Sequence, residues 1–124
     1  MNWVGLAAAV AAFLGIWIGH VAVRRVEAVA PRLWGPVVTG LALGFGLEYW
    51  SLLTKSRLWS GALGVLGIIL LWDAFELFRQ ERRVKDGHAP ANPDNPRHAR
   101  LLKEYPNATT VDLLRNEPTG IPSS

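Results

Sequence analysis

Three apolar runs, each about as long as a bilayer is thick, constrain this chain more than any other feature. They cover residues 3–23, 33–53 and 58–78, and only His20, Glu48, and the pair Asp73 and Glu76 interrupt them. A helix needs about 20 apolar residues to cross the hydrocarbon core. In lipid it also satisfies its own backbone donors and acceptors, which an open strand cannot do. The expected fold is therefore all-α: three transmembrane helices with short links, neighbours antiparallel. A cleaved leader is a poor reading of the first run, because no basic residue precedes it.

The third run does not end where the oil ends. Between Leu66 and Gly87 the only glycine is Gly67, and there is no proline. A single helix over residues 58–86 would be roughly 43 Å long, more than the hydrocarbon core of about 30 Å. Its last turns should stand in the interface and beyond. Gly87 is the natural stop, as a residue free to turn left-handed, and Lys85 and the arginines suit the negative helix end. Residues 1–87 then form a three-helix transmembrane domain, and 88–124 a tail.

Basic residues set the orientation. Arg24, Arg25 and Arg32 lie in the first connection, Lys55 and Arg57 in the second, and Arg79, Arg82, Arg83 and Lys85 open the tail. The first connection and the tail are expected inside, which puts the N-terminus outside and the C-terminus in the cytoplasm. Trp3, Trp34, Trp50 and Trp59 fall near the span ends, as an aromatic belt would.

Each span carries small residues on one side. Gly5, Ala8, Ala12, Gly15 and Gly19 share a side of the first; Val37, Gly40, Gly44 and Ser51 of the second; Ser60, Gly64 and Gly67 of the third. Small residues let helix backbones approach closely in lipid. These stripes are expected to pack the three helices together, with any surplus stripe left for a partner chain.

The ionisable residues offer two readings. Asp73, Glu76, Gln80 and Arg83 fall within about 80° on one helix face, and that face points away from Gly64. His20 and Arg24 lie at similar depth, one turn apart. With Arg82 and Glu48 they make up the candidate polar cluster. The structural reading is an interfacial charge network in which Asp73 and Glu76 pair with Arg24, Arg25 or Arg79. The functional reading is a proton or ion path, since charges within spans are costly and mark such paths. The outer half of the membrane offers only Glu48 to such a path. His20 could in principle ligate a haem or metal, but no second histidine lies in the spans; His88 and His98 are in the tail. No cofactor, metal site or catalytic residue is expected. No phosphate-binding loop, nucleophile elbow or zinc-binding histidine pair is present, and without cysteine there is no thiol chemistry. The net charge of +3 sits at span ends, which points to lipid surfaces rather than nucleic acid.

After Gly87, Pro90, Pro93 and Pro96 recur every third residue and favour an extended strip. Residues 95–105 suit a short helix starting near Pro96, and 109–116 a second, capped by Thr109 or Thr110. Leu101, Leu102, Val111, Leu113 and Leu114 look too few for a core. Such a tail should be mobile unless the helix-three extension or a partner holds it. The glycosylation-like Asn107-Ala108-Thr109 carries no meaning on the inner side.

The N-terminal run through His20, with Glu48 in the second span and the stretch from Leu71 to Pro93, resembles a family of small bacterial membrane proteins catalogued only as a domain of unknown function. The resemblance rests on Asn2, Trp3, Gly5, Leu6 and His20 at the start. It rests further on Trp72, Glu76, Leu77, Phe78, Gln80, Glu81, Arg83, Val84, Lys85, Gly87, Pro90, Asn92 and Pro93 at the end. It covers about residues 1–96 and implies three spans in a bacterial inner membrane, with no activity attached. The tail from Arg97 looks like an addition. Together these features lead to the expectation of a non-catalytic accessory or scaffold subunit that contacts lipid and other membrane subunits, or its own copies. A small oligomeric transporter and an anionic-lipid-binding organiser acting through Arg82 and Arg83 are the alternatives.

Overall fold

The computed structural model describes residues 1–112. It is all-helical over that range: α1 (Val4–Val29), α2 (Trp34–Leu53), α3 (Arg57–Lys85) and α4 (Pro96–Glu104). The first three are long and apolar enough to cross a membrane, as a multi-pass membrane protein requires. Helix α1 runs past the expected end at residue 23, through Arg24 and Arg25 to Val29. Pro31 stops it, because the residue before proline is pushed out of the helical region; Ala30 is extended, with ψ 124°. Helix α3 starts on Ser56, whose hydroxyl accepts the Trp59 N–H. It ends in a Schellman turn: the Gly87 N–H reaches the Val84 carbonyl and the His88 N–H the Arg83 carbonyl, at 3.1 and 2.8 Å. Gly87 takes φ +80° there, the left-handed conformation that favours glycine.

Helix α3 is the shared element. It packs along both α1 and α2, which otherwise meet little. The α1–α3 pair runs parallel, with Gly15 against Leu66 and Ile69, and Gly19 against Asp73. The α2–α3 pair is antiparallel, with Gly40 against Ala74 and Gly44 against Leu71 and the Gly67 carbonyl. At its far end Ser51 and Ser60 exchange hydroxyl-to-carbonyl hydrogen bonds of 2.6 and 2.9 Å. Gly64 packs on Ser51 and Glu48. All six glycines expected to pack, Gly15, Gly19, Gly40, Gly44, Gly64 and Gly67, are therefore used within the chain.

The described part of the tail does not hang free. The few apolar tail residues do form a core, contrary to expectation, because α3 supplies the missing wall: Val84, Ala89, Ala91 and Leu101 bury one another, with Leu102 and Tyr105 packed against them. The Lys85 ammonium lies 5.1 Å from the Tyr105 ring centre. Helix α4 begins on Asn95, whose side chain accepts the Arg97 N–H, with Pro96 as its first residue. The expected second tail helix is not formed at residues 109–112; the remainder of that stretch, with Leu113 and Leu114, lies outside the described residues.

The α2–α3 contact makes a direct prediction. A Cβ at Gly44 would sit 2.7 Å from the Leu71 side chain and 3.1 Å from the Gly67 carbonyl, whereas one at Gly46 would meet open space. Gly44→Val should lower stability by about 1–3 kcal/mol, the usual penalty of overpacking. Gly46→Val should be close to neutral. Unfolding of the purified protein by increasing SDS in mixed micelles measures the difference.

Candidate functional site

Two polar sites emerge, one expected from the sequence and one not. The first is a groove of about 710 Å³ between α1 and α3. Ile16, Ile68, Ile69 and Trp72 form its apolar end. His20, Arg24, Asp73, Glu76, Gln80 and Arg83 line the rest. Periodicity put the four α3 residues on one face, and the parallel run of α1 brings His20 and Arg24 opposite them. Gly19 is what allows this: the Asp73 carboxylate occupies the space where a Cβ at residue 19 would stand.

The pairing follows the expected network only at Glu76 and Arg79. Glu76 pairs with Arg79 of its own helix at 2.8 Å, and Arg83 donates to Gln80 at 3.3 Å. The Arg24 Nε donates to the His20 carbonyl at 3.4 Å. No ion pair joins Asp73 to Arg24 or Arg25 among the described residues. Gly19 lets the Asp73 carboxylate lie directly against α1, but none of its oxygens comes within 4 Å of the Arg24 or Arg25 guanidinium. Arg82 and Arg83 are both exposed, and only Arg83 reaches the groove. Glu48 does not belong to this cluster. It lies on α2 toward the other end of the bundle, against Gly64 and Gly67 of α3, and its Oε1 is buried without a hydrogen-bond partner.

The second site was missed by sequence reasoning. Glu27, on the last turn of α1, is 1% exposed, and His98 of α4 is fully buried. The His98 Nδ1 accepts the Asn92 N–H at 2.8 Å. Its hydrogen therefore sits on Nε2, which donates to Glu27 Oε1 at 2.8 Å. The guanidinium of Arg97 pairs with Glu27 Oε1 at 2.9 Å and with Glu81 of α3. Lys85 pairs with Glu81 at 3.1 Å. Two carboxylates and two cations thus balance in one cluster across α1, α3 and α4. The same tail segment caps α1. Asn92 and Asn95 each donate to the Ala28 carbonyl at 3.0 Å. Asn95 also reaches the Ala30 carbonyl, as does the Arg97 Nε, and the Arg97 Nη2 donates to the Glu27 carbonyl. These are the carbonyls a helix C-terminus leaves unpaired, and a cation suits its negative end. Nothing in the pattern marks Glu27 for this role, since its partners lie some seventy residues away. The Asn-Pro pairs at 92–93 and 95–96 are the only local hint.

The sequence profile of the family described as Domain of unknown function (DUF4491) matches residues 2–95. The chain belongs to this family. No curated protein and no solved structure matches the chain. The matched segment holds the α1–α3 groove and Glu27, Glu81, Asn92 and Asn95. Arg97 and His98, which complete the buried cluster, follow it directly. Among the described residues no group of histidines and carboxylates is arranged to hold a metal ion.

Removing one partner of a buried ion pair costs about 3–5 kcal/mol, because the other charge stays buried and unmatched. Arg97→Met should therefore undock the tail while leaving the spans inserted. Limited proteolysis should then cut between residues 88 and 112, where the parent protein resists. Hydrogen exchange should rise in α4 and the last turn of α1 without changing in α2.

Proposed function

We propose that this protein is a non-catalytic accessory or scaffold subunit of a bacterial inner-membrane complex, with its N-terminus outside and its C-terminus in the cytoplasm. The observation that carries the reading is the two-sided character of α2. One side, through Gly40, Gly44, Glu48 and Ser51, lies on α3. The opposite side carries Gly35, Thr39, Ala42 and Gly46 at spacings of four, three and four, all within about 60°. A Cβ at Gly35 or Gly46 would touch nothing within 4 Å. Gly44 is the only buried residue of the helix among those described. A small-residue face of this kind supports close approach by another transmembrane helix, and this chain has no further span to fill it among the described residues. The orientation is supported by the arginine-rich ends of α1 and α3, which share one end of the bundle with the tail, against Lys55 and Arg57 at the other.

Purification in mild detergent tests this. An unlike membrane chain should accompany the protein in fixed ratio, and Ala42→Ile combined with Gly46→Ile should reduce it at least tenfold while helicity and thermal stability hold. Recovery as a lone homo-oligomer, or retention of the partner by the double variant, would overturn the reading.

One observation favours a small transporter as the second reading. The buried, unpartnered Oε1 of Glu48 is the kind of orphaned group a transported cation or proton would satisfy. Proton or cation flux in liposomes that Glu48→Gln abolishes would favour it over the scaffold; no flux above empty vesicles would dismiss it.

A further inference from the structure

The α1–α3 groove holds three charges that the protein leaves unmatched, and they come in a fixed order along it. At one end lie Ile16, Ile68, Ile69 and Trp72. Asp73 comes next, against Gly19, with no hydrogen bond or ion pair of its own among the described residues. His20 acts on it electrostatically but makes no ion pair with it. Glu76 follows and is engaged by Arg79. The groove then ends on two guanidiniums. Arg24 spends its Nε on the His20 carbonyl, and its two terminal nitrogens have no partner among the described residues. Arg83 donates to Gln80, an uncharged group that leaves the charge of the guanidinium unmatched.

The two guanidiniums share a level. Helices α1 and α3 run parallel, with Gly19 beside Asp73. Arg24 lies five residues beyond Gly19, and Gln80 seven beyond Asp73, roughly 8 and 10 Å further along at about 1.5 Å per residue. The bond to Gln80 turns Arg83 back toward that level. Both apolar runs end before it, at Val23 and Phe78, so this end of the groove meets the headgroup layer while the other lies in hydrocarbon. A matching occupant is apolar first, cationic next and anionic last, with enough negative charge for two guanidiniums. A glycerophospholipid with an ammonium headgroup has the reverse order, because its phosphate lies between the chains and the ammonium.

We infer that the groove between α1 and α3 binds a long-chain amine ending in a phosphate monoester, the chemistry of a sphingoid base 1-phosphate, with its chain along Ile16 and Ile69, its ammonium on Asp73 and its phosphate between Arg24 and Arg83. A primary ammonium offers three donors to a carboxylate. A phosphate monoester carries close to two negative charges at pH 7, one for each guanidinium, and such pairs are charge-assisted. The charges of the ligand and the unmatched charges of the groove then cancel. Arg24 bends back toward the His20 carbonyl, one turn nearer Asp73. That shortens the interval which the two carbons between ammonium and phosphate must bridge. None of the lining residues belongs to α2, so this inference does not rest on the scaffold reading.

The test is native mass spectrometry of the full chain, stripped of lipid in mild detergent and titrated with four single-chain probes: sphinganine 1-phosphate, sphinganine, lysophosphatidic acid and lysophosphatidylethanolamine. The second lacks the phosphate, the third lacks the ammonium, and the fourth carries both in the reverse order. One sphinganine 1-phosphate should bind at least about tenfold more tightly than each of the others, the scale of a single hydrogen-bonded charge contact. Asp73→Asn should bring it level with lysophosphatidic acid. Arg24→Gln combined with Arg83→Gln should bring it level with sphinganine, and Lys55→Gln at the opposite end should leave its affinity unchanged. Failure of sphinganine 1-phosphate to outbind any one of the three in the parent protein overturns the inference. So does a preference over lysophosphatidic acid that survives Asp73→Asn in a variant of unchanged helicity. The parent's ranking of the four probes decides the matter even if a variant fails to fold.

Discussion

The bundle depends on how closely α3 can approach two neighbours at once. Between lipid-facing helices there is no hydrophobic gain, since lipid tails are as apolar as leucine, and association falls to dispersion across close backbones. Helix α3 achieves that contact with both α1 and α2 by meeting a glycine line on each. Because α1 and α2 lie along α3 rather than along each other, the three helices enclose only a small core, of Val23, Leu33 and Leu77 at one end. They leave clefts between them elsewhere, and most large apolar side chains, such as Trp17, Phe45 and Trp72, face outward. For a soluble protein this would be an unsatisfied surface; in a bilayer it is the solvated one.

At one end the problem reverses. There α1 stops at Pro31 with unpaired carbonyls, and α3 continues beyond the span with charged side chains. The tail joins these two helices. Its asparagines and Arg97 take the α1 carbonyls, and its apolar residues cover Val84 of α3. Glu27 is tolerated at 1% exposure because Arg97 and His98 supply its partners, and Lys85 completes the charge balance through Glu81. A buried network of this kind fixes geometry when every member is satisfied, so the docked tail and the register of α1 against α3 are parts of one arrangement.

The two polar sites were unequally legible. His20, Arg24, Asp73, Glu76, Gln80 and Arg83 could be found because charges within apolar runs stand out, and because helical periodicity alone puts the last four on one face. Their pairing was not legible. It depends on where the packed helices put each side chain: Glu76 meets Arg79, while no charged atoms of Asp73 and Arg24 come within 4 Å. Glu48 was grouped with them by residue type, although α2 carries it to the other end. Glu27 lacked any mark: a carboxylate near a helix end is ordinary, and its significance comes only from a segment far along the chain.

Local and periodic properties were determined by the sequence itself. The three spans follow from run length, the end of α3 from Gly87, the start of α4 near Pro96, and the glycine lines from their spacing. Each of these depends on residues within a few turns of one another, where backbone geometry and the bilayer thickness leave little choice. The tertiary structure alone decided which glycine line meets which helix, which small-residue face of α2 stays open, which charges remain unmatched in the groove, and that Arg97 and His98 close over Glu27. Those outcomes depend on distances between side chains far apart in the chain, and only the packed helices set such distances.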